Sequence, residues 1–283
     1  MSGKPLHLHQ ERGGGSPVAA LVLLHGVTRR GADWLPFVPH FEPSLGWLAI
    51  DFPGHGGSDP SPGDYRVVDY LDQITPWIEQ TDHPQQVLIG HSLGAMVAAL
   101  AAARSPKRFA GVVLIDPPFA TMGSRFRQST FYRQFEGMVE LLSHPSEPVA
   151  LFQRLRELPV RRPGDGQEVP FRDLRDDASL RTYAEYLCKI DPRLLEPIVA
   201  GRWLDGYDLE QVAASIECPV LLIRADLACG GMLTAEDAAV LCDRIADCRH
   251  SYFNGVGHQI QHTHPDLLAS ELNRFVAKVL STG

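Results

Sequence analysis

A serine lies at the centre of the pentapeptide Gly90-His91-Ser92-Leu93-Gly94. The apolar run Val87-Leu88-Ile89 before it predicts a buried strand, and the alanine-rich run at 93–104 predicts a helix directly after it. The two glycines let the backbone turn sharply between strand and helix, which leaves the serine hydroxyl exposed. The pattern therefore predicts that Ser92 is a nucleophile.

A serine hydroxyl is a weak nucleophile at neutral pH until a neighbouring base removes its proton. Among the twelve histidines, His258 follows a predicted strand at 250–253 and closes the small-residue turn Gly255-Val256-Gly257-His258. This position puts it on the carboxyl edge of the sheet, where Ser92 also lies and where sites in open α/β sheets form. We therefore assign His258 as the base.

The base needs a carboxylate that fixes its tautomer and stabilises its protonated form. Asp116 follows the predicted strand 109–115, and two prolines stiffen the loop after it. Asp226 follows the predicted strand 219–224. Both strands end on the edge where the serine is expected, so the residue pattern leaves the two aspartates open.

Acyl chemistry on a serine also requires backbone amides that stabilise the oxyanion. The amide of Leu93 stands at the positive end of the predicted helix, directly after the serine. The second amide is expected in the loop after the first long apolar run, and we assign it to Val27, behind Gly26. His25 is expected to hold this loop in shape.

Strands and helices alternate along most of the chain, which predicts an α/β fold with a mostly parallel sheet and helices on both faces. The predicted strands lie at 6–9, 18–24, 45–50, 87–89, 109–115, 219–224 and 250–253. The predicted helices of this sheet lie at 65–79, at 93–104, after Thr234 and at 266–280.

The alternation stops between Pro117 and Glu217, a stretch too long for a simple crossover helix. Amphipathic pieces at 126–142, 149–158, 180–190 and 194–203 indicate a helical insertion. We predict that residues 1–120 and 215–283 form the core and that residues 121–214 form a helical cap over it.

Composition excludes several classes of function. The net charge of −8 gives no long-range attraction for nucleic acid or an anionic membrane, and the five scattered cysteines form no Cys-x-x-Cys pair. His262 and His264 lie close to His258, but no carboxylate or cysteine pattern accompanies them, so we expect no metal and no organic cofactor.

The chain shows no apolar segment that could serve as a signal peptide or cross a membrane. We therefore expect a cytoplasmic monomer or homodimer that acts on a small ester-like molecule, without a nucleic-acid or membrane partner.

Four stretches of the chain together resemble the α/β-hydrolase superfamily, in the branch with a helical cap. They are Leu23-Leu24-His25-Gly26, Asp51-Phe52-Pro53-Gly54-His55-Gly56-Gly57-Ser58, the pentapeptide around Ser92, and Gly257-His258. The resemblance covers the core but not the cap. It implies hydrolysis through an acyl-enzyme, whereas dehalogenases and epoxide hydrolases of the superfamily use an aspartate where this chain has a serine.

The sequence departs from the resemblance at the acid. Most members have Gly-x-x-Asp after the strand at 219–224, but here that pattern would begin at Ala225 and put Ala228 in the acid position. Some members, similar to haloalkane dehalogenases in this respect, take the acid from the earlier strand. That place is occupied by Asp116, so we prefer Asp116 and keep Asp226 as the alternative.

The substrate class implied is a small to medium carboxylic ester or lactone. Hydrolysis of a carbon–carbon bond in a diketone, amide hydrolysis, acyl transfer, and a slow-turnover ligand receptor on the same triad remain as alternatives. The residues expected to line the substrate pocket are Trp34, His91, Phe119 and Trp203.

Overall fold

The computed structural model describes residues 6–16, 19–79, 86–144 and 146–281. The strands are β1 (Gln10–Gly13), β2 (Ala19–Leu24), β3 (Gly46–Ile50), β4 (Gln86–His91), β5 (Phe109–Ile115), β6 (Pro159–Arg161), β7 (Glu168–Pro170), β8 (Val220–Ala225) and β9 (Cys248–Phe253). Seven of them form one sheet in the order β1-β3-β2-β4-β5-β8-β9, and β6 and β7 form a separate antiparallel hairpin. Within the large sheet only β1 runs antiparallel to its neighbour.

The helices are α1 (Val67–Glu79), α2 (Leu93–Arg104), α3 (Phe119–Met122), α4 (Phe131–Leu142), α5 (Pro148–Arg156), α6 (Asp177–Leu187), α7 (Glu196–Val199), α8 (Leu209–Ala214), α9 (Ala235–Arg244), α10 (Ile260–Thr263) and α11 (Pro265–Ser281). None of the helices in the described ranges is both long and apolar enough to cross a membrane.

The central strands are mostly apolar, with side chains buried on both faces, because helices cover both faces of the sheet. In β2, Val22 and Leu24 belong to the core that also contains α1 and α2, whereas Leu21 and Leu23 belong to the core that contains α11. Side chains alternate between faces along a strand, so one apolar run supplies both cores. The predicted fold class, a mostly parallel sheet with helices on both faces, is confirmed.

The chain between β5 and β8 forms α3 to α8 and the hairpin. Its apolar side chains join the core on the α1 and α2 face, and none of them belongs to the described core on the α11 face. Helix α8 packs against α2 and α9 of the sheet, although we expected residues up to 214 to lie in the cap. The division into core and cap domains remains a prediction.

Some predicted elements are displaced. We expected the first strand at 6–9, but it begins at Gln10 and pairs with β3. The second predicted strand begins with Val18, which lies outside the described residues, and the structure describes this strand from Ala19. The hairpin of β6 and β7 was not predicted.

Candidate active site

The serine turn is built by close backbone packing between β4 and α2. Ser92 has φ = 56° and ψ = −117°, a conformation that L residues rarely adopt, and its amide donates to the Ile115 carbonyl at 2.9 Å. A Cβ at Gly94 would lie 2.2 Å from the carbonyl oxygen of Leu24, and one at Gly90 would lie 2.2 Å from that of Gly94. The two glycines are therefore required for β4 to turn directly into α2.

Asp116 lies at the end of β5 in an equally unusual conformation, with φ = 47°, and is 0% exposed. Its carboxylate accepts hydrogen bonds from the amides of Ala225 at 3.1 Å, Met232 at 2.8 Å and Leu233 at 3.1 Å. Its own amide donates to the Ile223 carbonyl at 2.8 Å. The backbone around β8 therefore holds a buried carboxylate in one fixed position.

The same carboxylate of Asp116 accepts a hydrogen bond from the imidazole of His258. The distance between His258 Nδ1 and Asp116 Oδ2 is 2.6 Å. Because the carboxylate accepts, Nδ1 carries the proton and Nε2 presents its lone pair. Neither Nε2 nor the hydroxyl of Ser92 has a hydrogen-bond partner among the residues that the structure describes, so both are available to a substrate.

The alternative acid, Asp226, does not contact His258. Its carboxylate accepts hydrogen bonds from the amides of Gly255 and Ala228, both at 2.9 Å. These two bonds, in that order, lower the pKa of Asp226 below its ordinary value. Asp226 therefore ties the β8 loop to the turn that precedes His258, and Asp116 is the aspartate that the structure pairs with the imidazole.

The two amides predicted for the oxyanion are both unpaired. Within the described ranges, neither the Val27 nor the Leu93 N–H has a hydrogen-bond acceptor. The loop with Val27 passes close to the serine, since a Cβ at Gly26 would lie 3.2 Å from the Ser92 Cβ. Two amides without an acceptor in the described residues therefore lie in the segments next to the serine, and their role in an oxyanion site stays a prediction.

Two buried histidines hold the loop of Val27. His25 accepts from the Phe52 amide at 2.9 Å and pairs through Nδ1 with the Gly26 carbonyl at 2.7 Å. His55 accepts from the Thr28 amide at 3.3 Å. An imidazole that both accepts and donates must be neutral. Burial lowers the pKa of His25 to about 4 and that of His55 to about 3, so both stay neutral at physiological pH.

His91, which we expected to line the pocket, is buried beneath the His258 loop instead. Its Nε2 donates to the His258 carbonyl at 2.9 Å, and the two rings lie 4.5 Å apart. Burial, followed by the neighbouring His258, lowers the pKa of His91 well below its ordinary value. His91 therefore supports the loop of His258 as a neutral donor.

The aromatic residues expected in the pocket are also buried. Trp34 packs on Phe37 in the core of the α11 face, which contains no described residue of segment 121–214, and its assignment to the pocket stays a prediction. Phe119 and Trp203 lie in the core on the opposite face, and Phe119 contacts the ring of Tyr207 at 5.5 Å. A role for Phe119 and Trp203 in the pocket remains a prediction.

Sequence reasoning assigned no role to Asp33, although this carboxylate is buried beside the site and contacts Arg29 and His262. The available signal was an acidic residue that closely follows two arginines in the loop of Val27. Among the described residues no group of three or more His, Cys, Asp or Glu side chains could hold a metal ion.

A serine on a strand-to-helix turn, a histidine–aspartate pair and two free amides at the carboxyl edge of a parallel sheet are the features expected of an α/β-type serine hydrolase. Comparison with known proteins agrees with this class. The family model of the alpha/beta hydrolase fold matches residues 19–196, more than half of the chain. The chain therefore belongs to the α/β-hydrolase fold family.

The individual relatives match this chain either over part of its length or at low sequence identity. The chain is 33% identical to lipase LipV of Mycobacterium tuberculosis over a stretch that covers 44% of this chain and 46% of the lipase. It is 25% identical to N-formylmaleamate deformylase of Pseudomonas putida, over 92% of this chain and 89% of the deformylase. The crystal structure of the enol-lactonase from Burkholderia xenovorans LB400 superimposes with a TM-score of 0.71 at 18% identity, covering 96% of this chain and 97% of the lactonase, which shows the shared fold.

Proposed function

We propose that this protein is a serine hydrolase that cleaves a small to medium carboxylic ester or lactone through an acyl-enzyme. Membership of the family, and relatives named as a lipase and a deformylase, support hydrolysis as the reaction class. In this proposal Ser92 is the nucleophile, His258 is the base and Asp116 is the acid that orients it.

The reaction proceeds in two proton-balanced halves. Nε2 of His258 removes the hydroxyl proton as Ser92 Oγ forms a bond to the substrate carbonyl carbon. The amides of Val27 and Leu93 stabilise the oxyanion, and the imidazolium then gives its proton to the leaving alcohol. In the second half, water loses a proton to His258 and attacks the acyl carbon. The bond from that carbon to Ser92 Oγ then breaks, the imidazolium returns its proton to Oγ, and the acid is released. Asp116 stabilises the imidazolium in both halves.

The observation that carries the proposal is the 2.6 Å hydrogen bond between His258 Nδ1 and Asp116. It sets the tautomer that a general base needs, because Nε2 is left as the acceptor. Asp226, engaged with Gly255 and Ala228, offers His258 no such bond.

Amide hydrolysis is the second candidate. The relative that aligns over most of both chains is named N-formylmaleamate deformylase, and removal of a formyl group from nitrogen breaks a C–N bond. The same serine, base and oxyanion amides serve an ester or an amide, since only the leaving group differs.

The first experiment is a chain-length series of p-nitrophenyl esters, with p-nitroacetanilide as the matched amide. We expect wild type to turn over, Ser92→Ala to be inactive and Asp116→Asn to lose about 10⁴-fold in kcat. Asp226→Asn is the matched control, and we expect it to retain activity close to wild type because Asp226 does not bond His258 and the amide oxygen still accepts one of the two backbone N–H bonds.

Loss of activity in Asp226→Asn with normal activity in Asp116→Asn would contradict the acid assignment while leaving the hydrolase class intact. Equal inertness of wild type and Ser92→Ala towards all esters and the anilide would contradict the ester and amide assignments together. If the anilide reacts faster than the esters, the result would favour amide hydrolysis, the second candidate.

A further inference from the structure

A buried carboxylate next to the site connects three separate parts of the chain. Asp33 is 6% exposed and lies in the helical turn after the Val27 loop. Its Oδ2 accepts from Nε of Arg29, and the Arg29 amide closes the turn around Val27 by donating to the Gly26 carbonyl at 3.1 Å. Asp33 therefore fixes the side chain that ends the turn carrying a proposed oxyanion donor.

The second connection runs to the loop of the base. His262 lies on α10, directly after the His258 loop, and its Nε2 is 3.6 Å from Asp33 Oδ2. The same nitrogen is 3.2 Å from Nη2 of Arg29. Asp33, Arg29 and His262 thus form one polar cluster between the oxyanion turn and the element that follows His258.

The third connection runs to α6 of the inserted segment. The guanidinium of Arg29 lies 5.2 Å from the ring of Tyr186 and 5.8 Å from that of Tyr183, and Tyr186 also interacts with the Asp33 carboxylate. The hydroxyl of Tyr183 is 2.9 Å from Oγ1 of Thr28, the residue after Val27. The cluster therefore lies where the oxyanion turn, α10 and α6 meet.

Asp33 is charged in this setting. Burial by itself would raise the pKa of Asp33, but the neighbouring His262 and the charge of Arg29 together lower it below the ordinary value for an aspartate. A buried charge with several partners is costly to disrupt, because loss of one partner leaves the others unpaired. The cluster is thus suited to hold its three elements in one arrangement.

We propose that Asp33 is a positioning residue that sets the oxyanion turn against the His258 loop. It touches neither the substrate nor the reacting atoms, and it acts through Arg29 on the turn of Val27 and through His262 on the loop of His258. The inference rests on the proposed function. A displacement of about 1 Å between catalytic groups can cost about 10²-fold in rate, so this anchor affects turnover.

The test compares Asp33→Asn with a matched control. Glu271 on α11 is also a shielded carboxylate with several partners, namely Arg249 at 2.7 Å, Ser251 at 3.0 Å and Arg274 at 3.0 Å. We expect Asp33→Asn to lower kcat by about 10- to 100-fold with little change in KM. We expect Glu271→Gln to keep the wild-type kcat, even if its thermal midpoint falls.

A second readout separates positioning from stability. A trifluoromethyl ketone binds Ser92 as a tetrahedral adduct whose oxyanion needs the amides, so its inhibition constant should rise in Asp33→Asn in parallel with the loss of kcat. Labelling of Ser92 by a fluorophosphonate should slow by the same factor. Circular dichroism and thermal unfolding confirm that each variant is folded.

His262→Gln and Arg29→Lys keep the test decisive if Asp33→Asn does not fold. Each should lower kcat on its own. Where Asp33→Asn folds, each variant paired with it should lower kcat by less than the product of the single effects, because the residues act as one unit. Wild-type kcat and inhibitor affinity in folded Asp33→Asn, or in both single variants of its partners, would overturn the positioning role.

The two proposals fail in different ways. Fluorophosphonate labelling reports on Ser92 and its surroundings even where the natural substrate is not an ester. An unlabelled wild type would contradict the proposed function itself, whereas labelled wild type and equally labelled Asp33→Asn would contradict only the role of Asp33.

Discussion

The carboxylate of Asp116 accepts hydrogen bonds from three backbone amides as well as from His258. Such a carboxylate cannot rotate away when the imidazole gains a proton, so the interaction is preorganised for the charged state of the base. Asp226 has two amide partners at the next strand end, but they belong to its own loop and to the turn of Gly255. The two aspartates differ in surroundings, not in chemistry.

This difference was not available from the sequence. Asp116 and Asp226 both follow a buried strand, and strand ends predict only the edge of the sheet on which a side chain lies. The choice depends on the φ of 47° at Asp116 and on the path of residues 225–233, which are properties of the folded chain. By contrast, the positions of Ser92 and His258 at the carboxyl edge of the sheet were predictable, because each lies in a local turn that contains glycine.

His91 supplies a prediction at this scale. In His91→Phe the ring is kept but the donor to the His258 carbonyl is lost, which leaves a carbonyl unpaired in a partly buried site. We expect the free energy of unfolding to fall by about 1–3 kcal/mol in urea titrations, and kcat to fall with it. His91→Gln retains an N–H donor and should recover part of both losses. An unchanged kcat in His91→Phe would show that the bond does not position the base.

At the scale of elements, the loop of Val27 lies directly against the turn between β4 and α2. A Cβ at Gly26 would lie 3.1 Å from Nδ1 of His91 and 3.2 Å from Cβ of Ser92. These contacts are tighter than an added methyl group tolerates without movement. Gly26 therefore lets the amide of Val27 approach the serine.

Gly26→Ala should displace this loop and reduce kcat by about 10²- to 10³-fold, the loss that follows removal of one oxyanion donor. Steady-state kinetics on p-nitrophenyl acetate measure it. Gly63→Ala is the control, since the added methyl there meets no described atom within 4 Å. Equal activity of the two variants would contradict the assignment of Val27 to the oxyanion site.

Long buried elements were predictable and short ones were not. The strand at 109–115 was predicted with the bounds that the structure gives to β5, because its apolar run is uninterrupted. The strands β6 and β7 have three residues each, and each buries a single valine, Val160 or Val169. One apolar residue carries no periodicity, so pairing of these strands depends on the helices packed around them.

At the scale of the molecule, the candidate site combines parts of the chain that are far apart in sequence. The loop of Val27, the turn of Ser92, Asp116 and His258 meet because parallel strands end on the same edge of the sheet. The sequence predicted that these residues lie at the carboxyl edge of the sheet. The cluster of Asp33 with His262 was missed because it depends on how α10 is seated against the Val27 loop, which no local pattern encodes.

Because of the buried histidines around the site, the free energy of unfolding of the whole protein depends on pH. His25 and His55 have pKa values lowered by burial to about 4 and about 3, and burial also lowers the pKa of His91 well below its ordinary value. In the unfolded chain each histidine titrates near its ordinary pKa of 6.5. Between the two values the unfolded state binds protons that the folded state does not, so stability falls as the pH falls.

Urea titrations at pH 7, 6, 5 and 4.5 should therefore show a free energy of unfolding that is constant near pH 7 and decreases below pH 6.5. Each buried histidine contributes about 1.4 kcal/mol per pH unit once the unfolded chain is protonated. His55→Asn should flatten the slope by one such contribution, because His55 is fully buried and neutral through this range. A slope that is equal in wild type and His55→Asn would mean that the folded protein accepts the proton at His55, and the hydrogen bond that His55 accepts from the Thr28 amide would then be absent in solution.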